Sequence, residues 1–208
     1  MARLLGDQAL ARSAVVANRD MNRERGLAGY ARELGVDVGA LARPGLAWLD
    51  LCCGSGAALL ECAAWVPGVR ITGVDLVDFY AGPARDGVEF VTAPVGEWVP
   101  GRAFDLITCV HGLHYVGDKL GLLAKVASWL TEDGLFVANL DWRTVLTEQG
   151  RVTDALRAAG FDYDTRRHRI RLAGRREVRW PYRYLGADDQ AGPNYTGQPG
   201  VNSHYGGR

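Results

Sequence analysis

The 208-residue sequence has no excess of charge of either sign, with 24 Lys and Arg against 24 Asp and Glu. Bulk electrostatics therefore argue neither for nor against a nucleic-acid partner. Lysine is nearly missing: Lys119 and Lys125 stand among many arginines, a bias of composition rather than of chemistry. There is no apolar run near the ~18–20 residues that cross a bilayer. The opening MARLLGDQALARSAVV lacks the apolar core and cleavage site of a secretory signal. These absences set the expectation of a cytoplasmic protein without a membrane partner. Cysteine is sparse, and Cys52 and Cys53 are adjacent with no second ligand pair, so reduced thiols and no metal are expected.

What is there is an alternation. Residues 7–42 read as helical, with Leu10, Val15, Val16, Leu27, Tyr30, Leu34 and Leu41 among polar positions, broken by Gly26, Gly29 and Gly35. From Leu46 a short apolar run, LAWLDL, meets a Gly-rich turn, the pattern of a buried parallel strand. Helical AALLECAAW (57–65) follows, then VRITGVDL (69–76), GVEFVTA (87–93) and FDLITCVHGL (104–113) as strands. An amphipathic helix from Asp118 to Leu130, a fifth strand GLFVANL (134–140) and a helix RVTDALRAAG (151–160) complete the alternation. Strands alternating with helices predict a doubly wound α/β fold with a mostly parallel sheet. FDYDTRRHRIRL and REVRWPYRYL then read as two extended segments joined by AGRR, with no room for a helix, hence antiparallel. From Gly186 the sequence is rich in Gly and polar residues and reads as a mobile tail; Asn194, Tyr195, Asn202 and Tyr205 raise the alternative of a lid. The expected divisions are a helical cap at 1–45, a core at 46–185 and the tail at 186–208.

The loop Leu49-Asp50-Leu51-Cys52-Cys53-Gly54-Ser55-Gly56 lies between the first strand and first core helix. Gly54 and Gly56 let backbone approach a ligand, and free N–H groups at a helix start suit a carboxylate. A dinucleotide fingerprint wants a third glycine, and Leu59 stands there instead. Asp75 ends the second strand about 20 residues on, where an acid accepts hydrogen bonds from ribose hydroxyls. Such an acid serves S-adenosylmethionine and nicotinamide cofactors alike, and it also satisfies turns.

The loop, Asp75 and the terminal hairpin together resemble class I S-adenosylmethionine-dependent methyltransferases. The resemblance implies a seven-stranded sheet of order 3-2-1-4-5-7-6 and S-adenosylhomocysteine as a product. It implies cofactor contacts at Asp50, Cys52, Cys53, Gly54, Gly56, Asp75, Leu76, Ala93, Val95 and Cys109. Two departures stand out: glycine is usual where Cys52 stands, and many relatives carry an acid where Ala93 stands. CVHGLHYV also lacks the Asn-Pro-Pro-Tyr signature of enzymes that methylate nucleic-acid amino groups.

The acceptor is read from the strand ends. His114 is the candidate general base, because histidine titrates near neutrality. His111, Tyr115, Asn139 and Trp142 are candidate acceptor contacts from the fourth and fifth strands, and Asn22, Arg23 and Tyr30 from the helical cap. Arg166, Arg167, Arg169, Arg171, Arg175, Arg176, Arg179 and Arg183 could contact phosphates, or could protect an edge strand. The leading expectation is methylation of O or N on a small metabolite or natural product. The alternatives are an RNA methyltransferase using the arginine stripe and a catalytically silent partner subunit.

Overall fold

The computed structural model describes residues 4–17, 25–83 and 85–207. Three short helices come first: α1 (Asp7–Ala11), α2 (Leu27–Leu34) and α3 (Val38–Leu41). In α2 the buried Leu27, Tyr30 and Leu34 fall on one face, and Gly35 stops the helix in the left-handed conformation at φ 67°. Gly29, expected as a break, lies inside α2. The Asp37 carboxylate then starts α3 by accepting from Ala40 N–H at 3.0 Å.

The alternating core follows as β1 (Ala47–Leu51), α4 (Ala57–Trp65), β2 (Arg70–Asp75), β3 (Val88–Thr92), β4 (Phe104–Cys109), α5 (Lys119–Trp129) and β5 (Leu130–Asn139). Every residue of β1 is buried. Ala47, Leu49 and Leu51 join one apolar cluster and Trp48 joins the other, so both faces of the sheet are covered. The remaining elements are β6 (Val145–Thr147), α6 (Val152–Ala158), β7 (Asp162–Asp164), β8 (Arg169–Ala173), β9 (Tyr182–Ala191) and β10 (Gly200–Gly207). The main sheet has the order β3-β2-β1-β4-β5-β8-β7, with β8 antiparallel to both neighbours. This is the expected order, in which the last strand inserts beside the fifth.

The hairpin itself falls one segment earlier than the sequence reading put it. FDYDTRRHRIRL supplies both strands, because Asp164 builds a turn within it. Its carboxylate accepts from the N–H groups of Arg166 (2.9 Å) and Arg167 (3.0 Å), and His168 closes the turn at φ 52°. AGRR leads out of the sheet instead. Trp180 then anchors the departing chain, donating its indole N–H to Leu120 O at 2.6 Å and stacking on Phe161.

The expectation of a mobile tail is overturned as well. Residues 182–191 and 200–207 form β9 and β10 of a second sheet, ordered β6-β10-β9. Val201, Ser203 and Tyr205 turn inward with the period of two that a strand imposes. Polar Ser203 is tolerated there because Lys119, fully buried at the start of α5, donates to Ser203 Oγ (3.0 Å), Val201 O (2.7 Å) and Val116 O (3.0 Å). Tyr205 adds hydrogen bonds to Asp118 and to Leu120 N–H. The second sheet is thereby fastened to the helix that follows β4, at the carboxyl end of the main sheet.

Candidate active site

The turn after β1 is built from left-handed residues: Cys52 at φ 56°, Gly54 at 59° and Gly56 at 70°. Cys52 holds a conformation that costs a non-glycine residue energy. Its neighbour explains how it fits: a Cβ on Gly112 would overlap Cys52 and Cys109, so glycine at 112 makes the room. Gly56 has a further requirement beside its left-handed φ, since a Cβ there would strike the ring of Phe90. Asp75, at the end of β2, accepts from Gly54 N–H at 2.8 Å and Val77 N–H at 3.2 Å. Burial raises its pKa, while these N–H donors pull it down.

A cavity of about 610 Å³ opens above this turn. Cys52, Cys53, Gly54, Ser55 and Asp75 form its floor, with Leu76 and Val95 on the segments after β2 and β3. Tyr30 and Glu33 of α2, His111, Gly112 and Tyr115 after β4, and Tyr195, Thr196 and Gln198 from the β9–β10 loop also line it. Leu10, Val15 and Val16 contribute an apolar wall from the N-terminal segment.

His111 stands at a crossing of elements. Its Nε2 lies 3.2 Å from Glu33 Oε2, and its Nδ1 lies 3.1 Å from the Tyr195 hydroxyl. Asn139 Oδ1 accepts from His111 N–H at 3.3 Å, and Asn139 Nδ2 donates to Glu33 O at 3.4 Å. One amide thus joins β5, the turn after β4 and the end of α2.

A family described as "Methyltransferase domain" matches residues 21–180. The chain belongs to that family. Curated relatives include a trans-aconitate 2-methyltransferase of Paracidovorax citrulli, 31% identical over 97 residues, which are 44% of this chain and 37% of the relative. The enzyme of the same name from an Escherichia coli strain is 33% identical over 96 residues, again 44% and 37%. The match thus spans little more than a third of the length of these curated relatives. Among solved structures, the plantazolicin methyltransferase BpumL in complex with SAH superposes with a TM-score of 0.50 at 17% identity, covering 73% of this chain and 60% of that one. That likeness supports the Rossmann-like fold of class I methyltransferases.

The methyltransferase domain's residues fit S-adenosylmethionine, the methyl donor of the family. The cavity lies within the ~300–1,000 Å³ of small-molecule sites. A carboxylate offers about four acceptor positions; Gly54 and Val77 N–H groups take two on Asp75 and the Leu76 N–H also acts on it, so a remaining position would serve a ribose hydroxyl. Leu76 and Val95 line the cavity and would offer apolar surface to the base, and Gly54 and Ser55, also on its wall, would face the amino-acid end.

Several expected residues stand elsewhere. Asp50 is fully buried and does not line the cavity; its carboxylate accepts from Tyr30 OH (2.6 Å) and Thr108 Oγ1. Burial raises its pKa to about 7 against the pull of those two bonds. It fastens α2 to the sheet, and so shapes the cavity through Tyr30. Gly56, Ala93, Cys109, Asn139 and Trp142 also lie off the cavity wall. Ala93 instead donates its N–H to Asp75 O, Cys109 packs in the core, and Trp142 sits in the short helical turn after β5. Asn22 and Arg23 lie outside the described residues. His114, the expected base, does not line the cavity; it is buried beside the Tyr195 ring, with centroids 5.3 Å apart, and burial lowers its pKa to about 3, which keeps it neutral. Among the described residues, no group of three or more His, Cys, Asp or Glu side chains is arranged to hold a metal. No described helix is long and apolar enough to cross a membrane.

Sequence reasoning missed Glu33 and set Tyr195 aside with the tail. Glu33 carried no motif, and only the tertiary placement of α2 reveals it. Tyr195 was legible as an aromatic in a polar segment, the feature that had suggested a lid.

Proposed function

We propose that this chain transfers the methyl group of S-adenosylmethionine to an oxygen or nitrogen atom of a small metabolite or natural product. One observation carries the reading: a single cavity is lined both by Asp75 with Leu76 and Val95 and by a polar aromatic group, His111, Tyr115 and Tyr195. The first set suits a nucleoside cofactor, and the second suits a small acceptor beside it. The name of the curated relatives also gives a small acceptor, trans-aconitate. An RNA acceptor is less well supported, because Arg169 spends its guanidinium on the carbonyls of Arg32 and Glu33, and Arg176 on that of Ala173. Four free cysteines suit a reducing compartment, so we place the protein in the cytoplasm.

Isothermal titration with S-adenosylmethionine and, separately, with NADH tests the cofactor. S-Adenosylmethionine should bind and NADH should not; the reverse result overturns the reading. Asp75→Ala should weaken S-adenosylmethionine about 10–100-fold, the worth of hydrogen bonds to a charged acceptor. Unchanged affinity would remove Asp75 from the ribose.

A further inference from the structure

His111, His114 and His168, three of the chain's four histidines, surround one ring, that of Tyr195. The phenol stacks on His168 with centroids 4.1 Å apart and planes 3° from parallel. It meets His114 edge-on at 5.3 Å and lies 5.9 Å from His111, with its hydroxyl on His111 Nδ1. Tyr195 belongs to the β9–β10 loop rather than to the methyltransferase sheet, lines the cavity, and keeps 38% of its surface exposed.

The polar atoms around this ring are poorly served. Both ring nitrogens of His114, Nδ1 of His168 and Nδ2 of Asn194 are buried without a partner among the described residues. Buried polar atoms are normally paired, and leaving them unpaired is costly. A ring with a single hydroxyl serves His111 and leaves the edge-on His114 unanswered, and a second ring hydroxyl is the group that would answer one His114 nitrogen.

We propose that Tyr195 holds the place of the methyl acceptor: the histidine slot takes a hydroxylated aromatic ring, His111 removes its proton, and Glu33 is the positioning residue. This rests on the methyltransferase reading and names the acceptor class for that site. With Glu33 accepting from Nε2–H, His111 keeps a lone pair on Nδ1, where the Tyr195 hydroxyl now donates. An acceptor hydroxyl that displaces Tyr195 meets the same lone pair. In the transfer a lone pair of the acceptor oxygen forms the O–C bond, and the S–C bond breaks with its pair going to sulfur. The O–H pair stays on oxygen, and the proton passes to His111 Nδ1, whose positive charge Glu33 offsets. His114, kept neutral by burial, serves as a hydrogen-bond partner for a ring hydroxyl. Asn139, bonded to both the His111 backbone and the Glu33 carbonyl, keeps the pair in register.

The test is isothermal titration of the full chain with S-adenosylhomocysteine, then of the saturated protein with 4-methylcatechol, with trans-aconitate as the contrasting probe. 4-Methylcatechol should bind with Kd below ~1 mM and, with S-adenosylmethionine, yield a mono-O-methyl product. Tyr195→Phe keeps the ring but removes the competing hydroxyl, and should tighten 4-methylcatechol about 2–10-fold. Glu33→Gln and His111→Asn should each lower kcat at least ~10-fold while leaving Kd for S-adenosylhomocysteine within about twofold, with Glu33→Asp recovering part of the rate. If S-adenosylhomocysteine binds but 4-methylcatechol does not, or binds without being methylated, the acceptor assignment is overturned and the methyltransferase reading stands. Tighter binding of trans-aconitate than of 4-methylcatechol, or Tyr195→Phe weakening 4-methylcatechol, also overturns it. If S-adenosylhomocysteine fails to bind, both readings fall.

Discussion

Lys119 allows a sharp test of how the second sheet is attached. Its ammonium is fully buried, donates to Val116 O, Val201 O and Ser203 Oγ, and has its pKa lowered to about 7 by burial, against the pull of Asp188, Asp141 and Asp118. In the unfolded chain a lysine titrates near ~10.4. Between these values the unfolded state binds more protons than the folded one, so this residue makes stability rise with pH across that window. Below the folded pKa the cost of burying the charge is fully present; it is relieved as pH climbs towards the unfolded value. Integrating from pH 7 to pH 9 gives a gain of about 2 kcal/mol from this group alone. Other groups titrate in the same range, including Cys52 and Cys53, whose raised folded pKa values act in the opposite sense. The useful quantity is therefore the difference between wild type and Lys119→Met, in which the shared titrations cancel. Urea unfolding of both proteins at pH 7 and pH 9 reads it directly. Wild-type stability should gain about 2 kcal/mol relative to Lys119→Met over that interval. Parallel pH dependences in the two proteins would refute the reasoning and mean that Lys119 is not buried as a charge beneath β10.

Two further substitutions probe the site's supports. Tyr30→Phe removes the hydroxyl that serves Asp50, and should cost about 1–3 kcal/mol in urea unfolding, the penalty for leaving a buried acceptor one partner short; an unchanged midpoint would show that α2 is not held by this bond. Gly112→Ala places a methyl against Cys52 and Cys109, and should cost about 1–3 kcal/mol and weaken S-adenosylmethionine. Adding Cys52→Gly should restore part of that loss, because it removes the Cys52 contacts, though not the one with Cys109 Sγ, and relieves a left-handed residue; absence of any rescue would place the strain elsewhere.

The main sheet was readable because its determinants are local. Apolar runs such as LAWLDL and FDLITC, glycine at the turn after β1 and an acid closing β2 each act within a few residues. The position of the hairpin was not, because one carboxylate, Asp164, decides it by capturing two N–H groups and turning the chain four residues after β7 begins its pairing. The loop glycines were found, and packing adds a reason for Gly56 that the sequence does not show, since a Cβ there would strike the Phe90 ring.

Asp50 shows a similar limit. Its place in the loop pattern suggested a ligand contact, whereas Tyr30, twenty residues earlier, takes its carboxylate for the attachment of α2. Glu33, His111 and Tyr195 converge from three elements, and only their packing reveals the cluster.

By itself, then, the sequence determined the alternating α/β core, the turn after β1 and Asp75, since backbone geometry and strand burial act over short range. Tertiary structure alone decided that residues 182–207 form a second sheet over the site. Strand β10 is written in Gly, Ser, Asn and His, and its inward face becomes stable only when Lys119, 82 residues from Val201 and 84 from Ser203, supplies the donors that polar positions need.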